Sequence, residues 1–229
     1  MLRPAAAEAL DDRDLDDAVA NTVLSEIALT NILFGGNAAL KFGLTRLLRG
    51  EAGASPLSIL DIGAGSGDAT QRACRLLGDR LTHPIALDHH RASARLCRTG
   101  GITPIVGDVC QLPLRPDSID IAIVSMVLHH LPRPQAVTLI THLDAAARLG
   151  VVVTDLRRSA LAIAGFDLAG RILRLHEVTR RDGLLSIRRG YRAAELATII
   201  ADAGVGRASV HRRPGWRLVA YWRTHHADG

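Results

Sequence analysis

The chain has 229 residues, 48% of them apolar, three cysteines and a formal net charge of +5. That is enough apolar content to close one full core, and it excludes an extended disordered chain. No uninterrupted apolar stretch approaches the roughly 18 residues a helix needs to cross a bilayer, so no membrane span is expected.

The N-terminus carries Arg3 but also Asp11, Asp12, Asp14, Asp16 and Asp17, so it does not read as a signal peptide and a cytoplasmic location is expected. Cys74, Cys97 and Cys110 are widely spaced with no C-x-x-C pair, which points to reduced thiols rather than a disulfide frame or a zinc site. Residues 14–33 place Leu15, Val19, Val23 and Ile27 four apart, the spacing of an amphipathic helix that Gly35-Gly36 ends. A second helix carries Leu40, Leu44, Leu47 and Leu48 on one face. Strands and helices then alternate: strand 57–62, helix 67–77, strand 84–88, helix 91–98, strands 102–106 and 119–125, helix 134–148 and strand 150–155. A helix at 193–203 and strands 208–213 and 216–224, around Pro214-Gly215, finish the chain. Such alternation specifies a parallel sheet with helices on both faces.

The first strand stops in Asp61-Ile62-Gly63-Ala64-Gly65-Ser66-Gly67. Glycines at these positions let the backbone turn sharply and approach a ligand that a side chain would push away. About 20 residues on, Asp88 ends the second strand, where an acidic side chain of a nucleotide fold accepts from ribose hydroxyls. Gly107-Asp108-Val109 follows the third strand. A dinucleotide site wants a sixth-position glycine where this chain has Asp68, and pyrophosphate would meet both Asp61 and Asp68.

These pieces, with the apolar strand 119–126, resemble the class I S-adenosylmethionine-dependent methyltransferases, over most of residues 57–229. The resemblance implies an α/β fold: a Rossmann-like, seven-stranded, mostly parallel sheet whose last hairpin supplies one antiparallel strand. It implies S-adenosyl-L-methionine as cofactor, leaving S-adenosyl-L-homocysteine, with Asp61 opening the loop beside the methionine moiety, Asp88 at the ribose and Asp108 at the adenine amine. The cofactor-binding set it implies is Asp61, Gly63, Ala64, Gly65, Gly67, Asp88, His89, Asp108, Val109 and Ser125. A sulfonium cation and an ammonium tolerate Asp61 and Asp68 where phosphate does not. Residues 1–50 are expected as a helical extension or lid, 51–229 as the methyltransferase domain, and 156–190 as an insertion capping the substrate. Apolar residues of the insertion, Leu161, Ile163, Phe166, Leu168, Ile172, Leu173 and Leu175, are read as packing, pocket lining or a homodimer face.

Val127-Leu128-His129-His130-Leu131-Pro132 is similar to the Leu-His-His motif of small-molecule and quinone methyltransferases. His129 or His130 is therefore either a base near the methyl site or a structural loop holder, with Asp155 at the end of the adjacent strand able to orient the ring. His176-Glu177 is a second acid-base option; His89-His90 and His225-His226 have no ligand-spaced partners, so no metal is expected. A phenol of pKa near 10 is about 0.1% ionised at neutral pH, a cost of roughly 4 kcal/mol that a histidine base would meet. Val153 to Arg158 and Ser186 to Leu196 look like bacterial methyltransferases of polyketide and other secondary metabolism. The expected acceptor is thus a small molecule, an aromatic or polyketide-derived hydroxyl, with C-methylation of a quinone precursor as runner-up.

The fourteen arginines of residues 157–223 leave a different class open, an RNA-binding or RNA-modifying protein or a non-catalytic cofactor-binding regulator. Of 28 basic residues only Lys41 is lysine, so the bias reads as composition. With aromatics at 3% and no Asn/Asp-Pro-Pro-Tyr type motif, a nucleic-acid partner is not expected.

Overall fold

The computed structural model describes residues 4, 8–12, 15–51, 55–112 and 114–224. Seven strands, β1 (Leu57–Ile62), β2 (Leu81–Asp88), β3 (Thr103–Val106), β4 (Ile119–Ser125), β5 (Ala147–Leu156), β6 (Ser209–Arg213) and β7 (Arg217–Arg223), form one sheet in the order β3-β2-β1-β4-β5-β7-β6. Pairing is parallel among β1 to β5, and β7 runs antiparallel to both β5 and β6. This is the Rossmann-like α/β sheet the resemblance implied, with its single reversed strand in the final hairpin.

Alternation along the buried strands sorts side chains onto two cores. Leu60, Ile62, Ala122, Val124, Val151 and Val153 face α5 (Arg133–Ala146) and α8 (Ala193–Asp202). Ile59, Ile121, Ile123 and Val152 face α2 (Gly36–Leu47) and α3 (Asp68–Leu77), while α4 (Arg91–Thr99) packs beside β2 and β3. Strand β2 begins three residues before the expected start, running through Pro84, which sits one residue ahead of the pairing with β3. No ladder bond to β3 is lost there.

The expected boundary at residue 50 needs correction. Leu40, Leu44 and Leu47 of α2 are fully buried against the sheet, so α2 belongs to the main core. Only α1 (Asp17–Leu33) and the segment before it stand over the strand ends; Arg13, Asp14, His225 and His226 lie outside the described residues. The insertion forms a hairpin of α6 (Ala160–Ile172) and α7 (Glu177–Arg189). Its ends meet where Tyr191 N–H donates to Leu156 O at 2.9 Å, making it a closed excursion from the end of β5. Glu26 of α1 accepts from His176 N–H at 3.0 Å and from the Thr179 hydroxyl, which ties α1 to α7. Among the described residues no single helix is long and apolar enough to cross a membrane.

The link between α1 and α2 is locked to the β6–β7 turn. Gly215 sits at φ +74°, and a Cβ there would fall inside van der Waals contact of Phe34 O. Gly215→Ala should lower the unfolding free energy by about 2 to 3 kcal/mol in a urea titration. Gly204→Ala is the control, since its φ of +84° is equally unfavourable but nothing lies within 4 Å. A loss no larger than that of the control would mean that the contact is not a structural tie.

Candidate active site

A cavity of about 570 Å³ opens beyond the carboxyl ends of β1, β2, β4 and β5, walled by α1, α6 and α7 and by the turn before β7. That is the place and the size at which open α/β sheets take small ligands.

On its floor, Gly63 N–H donates to Leu87 O at 2.7 Å, which bends the loop back over β2. Gly63 has φ +65°, and a Cβ would drive into Val127. Gly65 N–H donates to Asp88 Oδ2 at 2.8 Å and His90 N–H to Asp88 Oδ1 at 2.9 Å, so this carboxylate clamps two loops while keeping a second lone pair on each oxygen. Asp61 is fully buried; Thr70 donates to Oδ2 at 2.6 Å, and Oδ1 has no partner among the described residues. Burial, reinforced by the charges of Asp68 and Asp88, pushes its pKa up to about 7. Asp68 is raised too, mainly by burial, and accepts from Asn31 Nδ2 at 3.3 Å.

Ala64, Asp108, Val109 and Ser125 line the cavity; Asp108 Oδ1 also accepts from Cys110 N–H at 2.9 Å, and Ser125 Oγ from Thr154 at 3.0 Å. Two expected positions differ. Gly67 starts α3 outside the cavity wall, where a Cβ would sit 3.0 Å from Cys97 and Ile102, so it serves helix packing. His89 lines the cavity, but its Nε2 lies 2.8 Å from Leu10 O, so the ring ties down the N-terminal segment.

Beyond β4, Met126 takes φ +64°, a strained value for a residue with a side chain, and the chain turns into a short 3-10 stretch over Leu128–His130. Tyr191 Oη donates to Leu128 O at 2.6 Å and holds that stretch. His129 is 2% exposed, and its Nδ1 lies 2.7 Å from Asp155 Oδ1. Burial alone would raise the Asp155 pKa, but the His129 contact and the Leu156 N–H bond outweigh it and hold the group below the usual carboxylate range. An ionised Asp155 accepts, so the proton sits on His129 Nδ1 and the basic lone pair on Nε2.

His130 faces two carboxylates of the N-terminal segment, with Nδ1 3.0 Å from Asp11 and Nε2 3.7 Å from Glu8. Burial acts to lower its pKa, but the Asp11 bond and both negative charges raise it on balance. Glu8, His129 and His130 bring ligand-type atoms within 4.8 Å of one another, a spacing the sequence did not foretell. Arg189 Nη1, 3.3 Å from Glu8 Oε1, adds positive charge there, so the cluster reads as an ion-pair strap.

His176 is the clearest correction: its ring caps α7, accepting from Val178 N–H at 3.3 Å, exposed and outside the cavity wall. Leu161, Leu168 and Ile172 likewise point outward, 61% to 72% exposed, while Ala162, Phe166 and Ile187 line the cavity. Sequence reasoning missed Asn31, Phe34, Trp216 and Arg217, all in the cavity wall. Phe34 and Phe166 meet with ring centroids 5.9 Å apart, joining α1 to α6.

Residues 59–150 match the model of a methyltransferase domain family. A sequence search of curated proteins finds no match. Among solved structures, magnesium protoporphyrin IX methyltransferase from Synechocystis PCC 6803 with bound SAM is 15% identical, covering 96% of this chain and 99% of that one, at a TM-score of 0.62. Human N-acetylserotonin methyltransferase in complex with SAM is 14% identical over 91% of this chain and 56% of that one, at 0.61. The CurJ carbon methyltransferase is 13% identical over 77% and 50%, at 0.56. At these identities the likeness is one of fold, shared by enzymes named for different acceptors.

Proposed function

We propose that this S-adenosylmethionine-dependent methyltransferase, its methyltransferase domain matched over residues 59–150, methylates a hydroxyl on a small, largely apolar acceptor, an aromatic or polyketide-derived ring. The observation that carries the reading is the buried His129–Asp155 pair at the wall of a cavity that also holds Phe34, Phe166, Ile187 and Trp216.

When bound, S-adenosylmethionine supplies an electrophilic methyl group. The floor fits it on two counts: Gly65 leaves room at the cavity that no Cβ takes up, and Asp61 Oδ1 is a buried acceptor lacking a partner among the described residues. Asp88 would hold the ribose hydroxyls with its two spare lone pairs, Asp108 and Val109 the adenine, and Gly63 to Gly65 the methionine chain. His129 Nε2 takes the proton of the acceptor hydroxyl, and Asp155 keeps Nδ1 protonated and stabilises the imidazolium that results. The aromatic wall orients the ring, and alignment of this kind is worth up to ~7 to 11 kcal/mol. Residues 8–12, α1 and the α6–α7 hairpin exclude water as a joint lid, with Glu26 tying α1 to α7.

The test is incubation of the purified protein and labelled methyl donor with matched phenols, amines and carbon acids, followed by fragmentation of the products. Label on oxygen, with phenols the best acceptors, is expected. Label only on carbon or nitrogen would overturn the hydroxyl assignment.

A further inference from the structure

Arg217 opens β7 and is 3% exposed, yet it lines the cavity. Its Nε donates to Phe34 O at 3.0 Å, Nη1 to Met126 Sδ at 2.9 Å and Nη2 to Asn31 Oδ1 at 3.4 Å. These partners are uncharged, they use three of the five guanidinium N–H groups, and among the described residues no ion pair includes Arg217. A buried cation without a counter-ion is costly, as its pKa shows: burial drives it down to about 10 despite the charges of Asp155 and Asp68.

We propose that Arg217 is a carboxylate anchor of this cavity, pairing its remaining N–H groups with a ligand carboxylate. Two ligands of the reaction could bring one: the α-carboxylate at the methionine end of the donor, or an acid group on the acceptor. The hydrogen-bond path favours the donor. Arg217 reaches Asn31, Asn31 reaches Asp68, and Asp68 stands beside Asp61, whose orphaned Oδ1 suits an ammonium. Asp61 and Arg217 would then read the two charges of one amino acid group. The strained Met126 serves the same purpose, since its φ of +64° accompanies a sulfur placed against the guanidinium. This inference rests on the donor site and not on the acceptor's identity, so the assay of product chemistry above can fail while it holds.

Calorimetry on the full chain distinguishes the two sources. In the first arm, S-adenosylhomocysteine is compared with its decarboxylated analogue, which keeps the amine. If Arg217 binds the donor, the parent prefers the carboxylate form by about 10- to 100-fold, the range for hydrogen bonds to charged groups. Arg217→Gln abolishes that preference, and Arg217→Lys keeps part of it. In the second arm, with S-adenosylhomocysteine saturating, 2-hydroxybenzoate is compared with phenol; a preference for the acid that Arg217→Gln removes assigns the anchor to the acceptor. Circular dichroism confirms that each variant is folded, and if Arg217→Gln is not, the parent's preferences and Arg217→Lys decide. A parent without carboxylate preference in either arm, or a preference untouched by the folded variants, overturns the proposal.

Discussion

Asp88→Ala should weaken S-adenosylmethionine binding by about 100-fold or more, measured by calorimetry. The expected size follows from what one carboxylate does here. It accepts from Gly65 N–H and His90 N–H, fixing the glycine loop and the start of α4, and it offers the lone pairs proposed for the ribose hydroxyls. Charge-assisted hydrogen bonds are worth roughly 1.5 to 3 kcal/mol each, so losing two of them exceeds the ~2.7 kcal/mol that a hundredfold represents. Asp88→Asn separates the contributions. The amide keeps one acceptor oxygen and should fall between parent and alanine. Affinity within threefold of the parent in Asp88→Ala would show that the ribose is held elsewhere.

The second large effect is expected at His129. His129→Ala should lower turnover by about 10² to 10⁴ with donor affinity nearly unchanged, the loss typical of a missing general base. On a phenol the variant should recover as pH rises, because solvent then supplies phenolate. Asp155→Asn should lose activity as well, since its Oδ atoms orient both the ring and the backbone of His129. Loss of the Asp155 contribution to stability does not confuse the comparison. The folded pKa of Asp155 lies below its ordinary value, so its contribution to stability is present above that value and lost only as pH falls through the folded pKa. An assay from pH 6 to 9 stays clear of that window. Full turnover by His129→Ala across this range would leave the histidine a structural role and catalysis to alignment.

What the sequence disclosed here is local in character. The strand that ends in Gly63, the spacing to Asp88 and the apolar run of β4 depend on nearest-neighbour patterning, and their bounds agree with the structure within a few residues. The pairing of His129 with Asp155 was legible because β4 runs parallel to β5 up to Ser125 beside Thr154, so the turn that follows β4 starts next to Asp155 near the end of β5. The segments of the roof were expected from the sequence, but the contacts that join them were not legible, because such contacts carry no periodic signature. His176 looked like chemistry and caps a helix, since a capping ring and a catalytic ring have the same sequence letter. Asp11 counted only as one of the acids of the N-terminus, yet His130 lies against both it and Glu8. Arg217 was hidden among fourteen arginines of residues 157–223, and only its burial sets it apart.

The cavity wall takes Leu10 from one end of the chain and Arg217 from the other, and Arg217 bonds Phe34 and Asn31 across more than 180 positions. A nascent chain therefore has its glycine loop long before it has a closed pocket. At about 5 to 20 residues per second, synthesis from that loop to β7 occupies roughly ten to thirty seconds. Through that interval α1, with Ile32 and Leu33 more than half exposed even in the finished fold, waits for the strand that will seat it. The β6–β7 hairpin is thus the one that completes the site, and a ribosome-bound chain stopped short of β7 would carry every residue of the glycine motif without the wall that Trp216 and Arg217 provide.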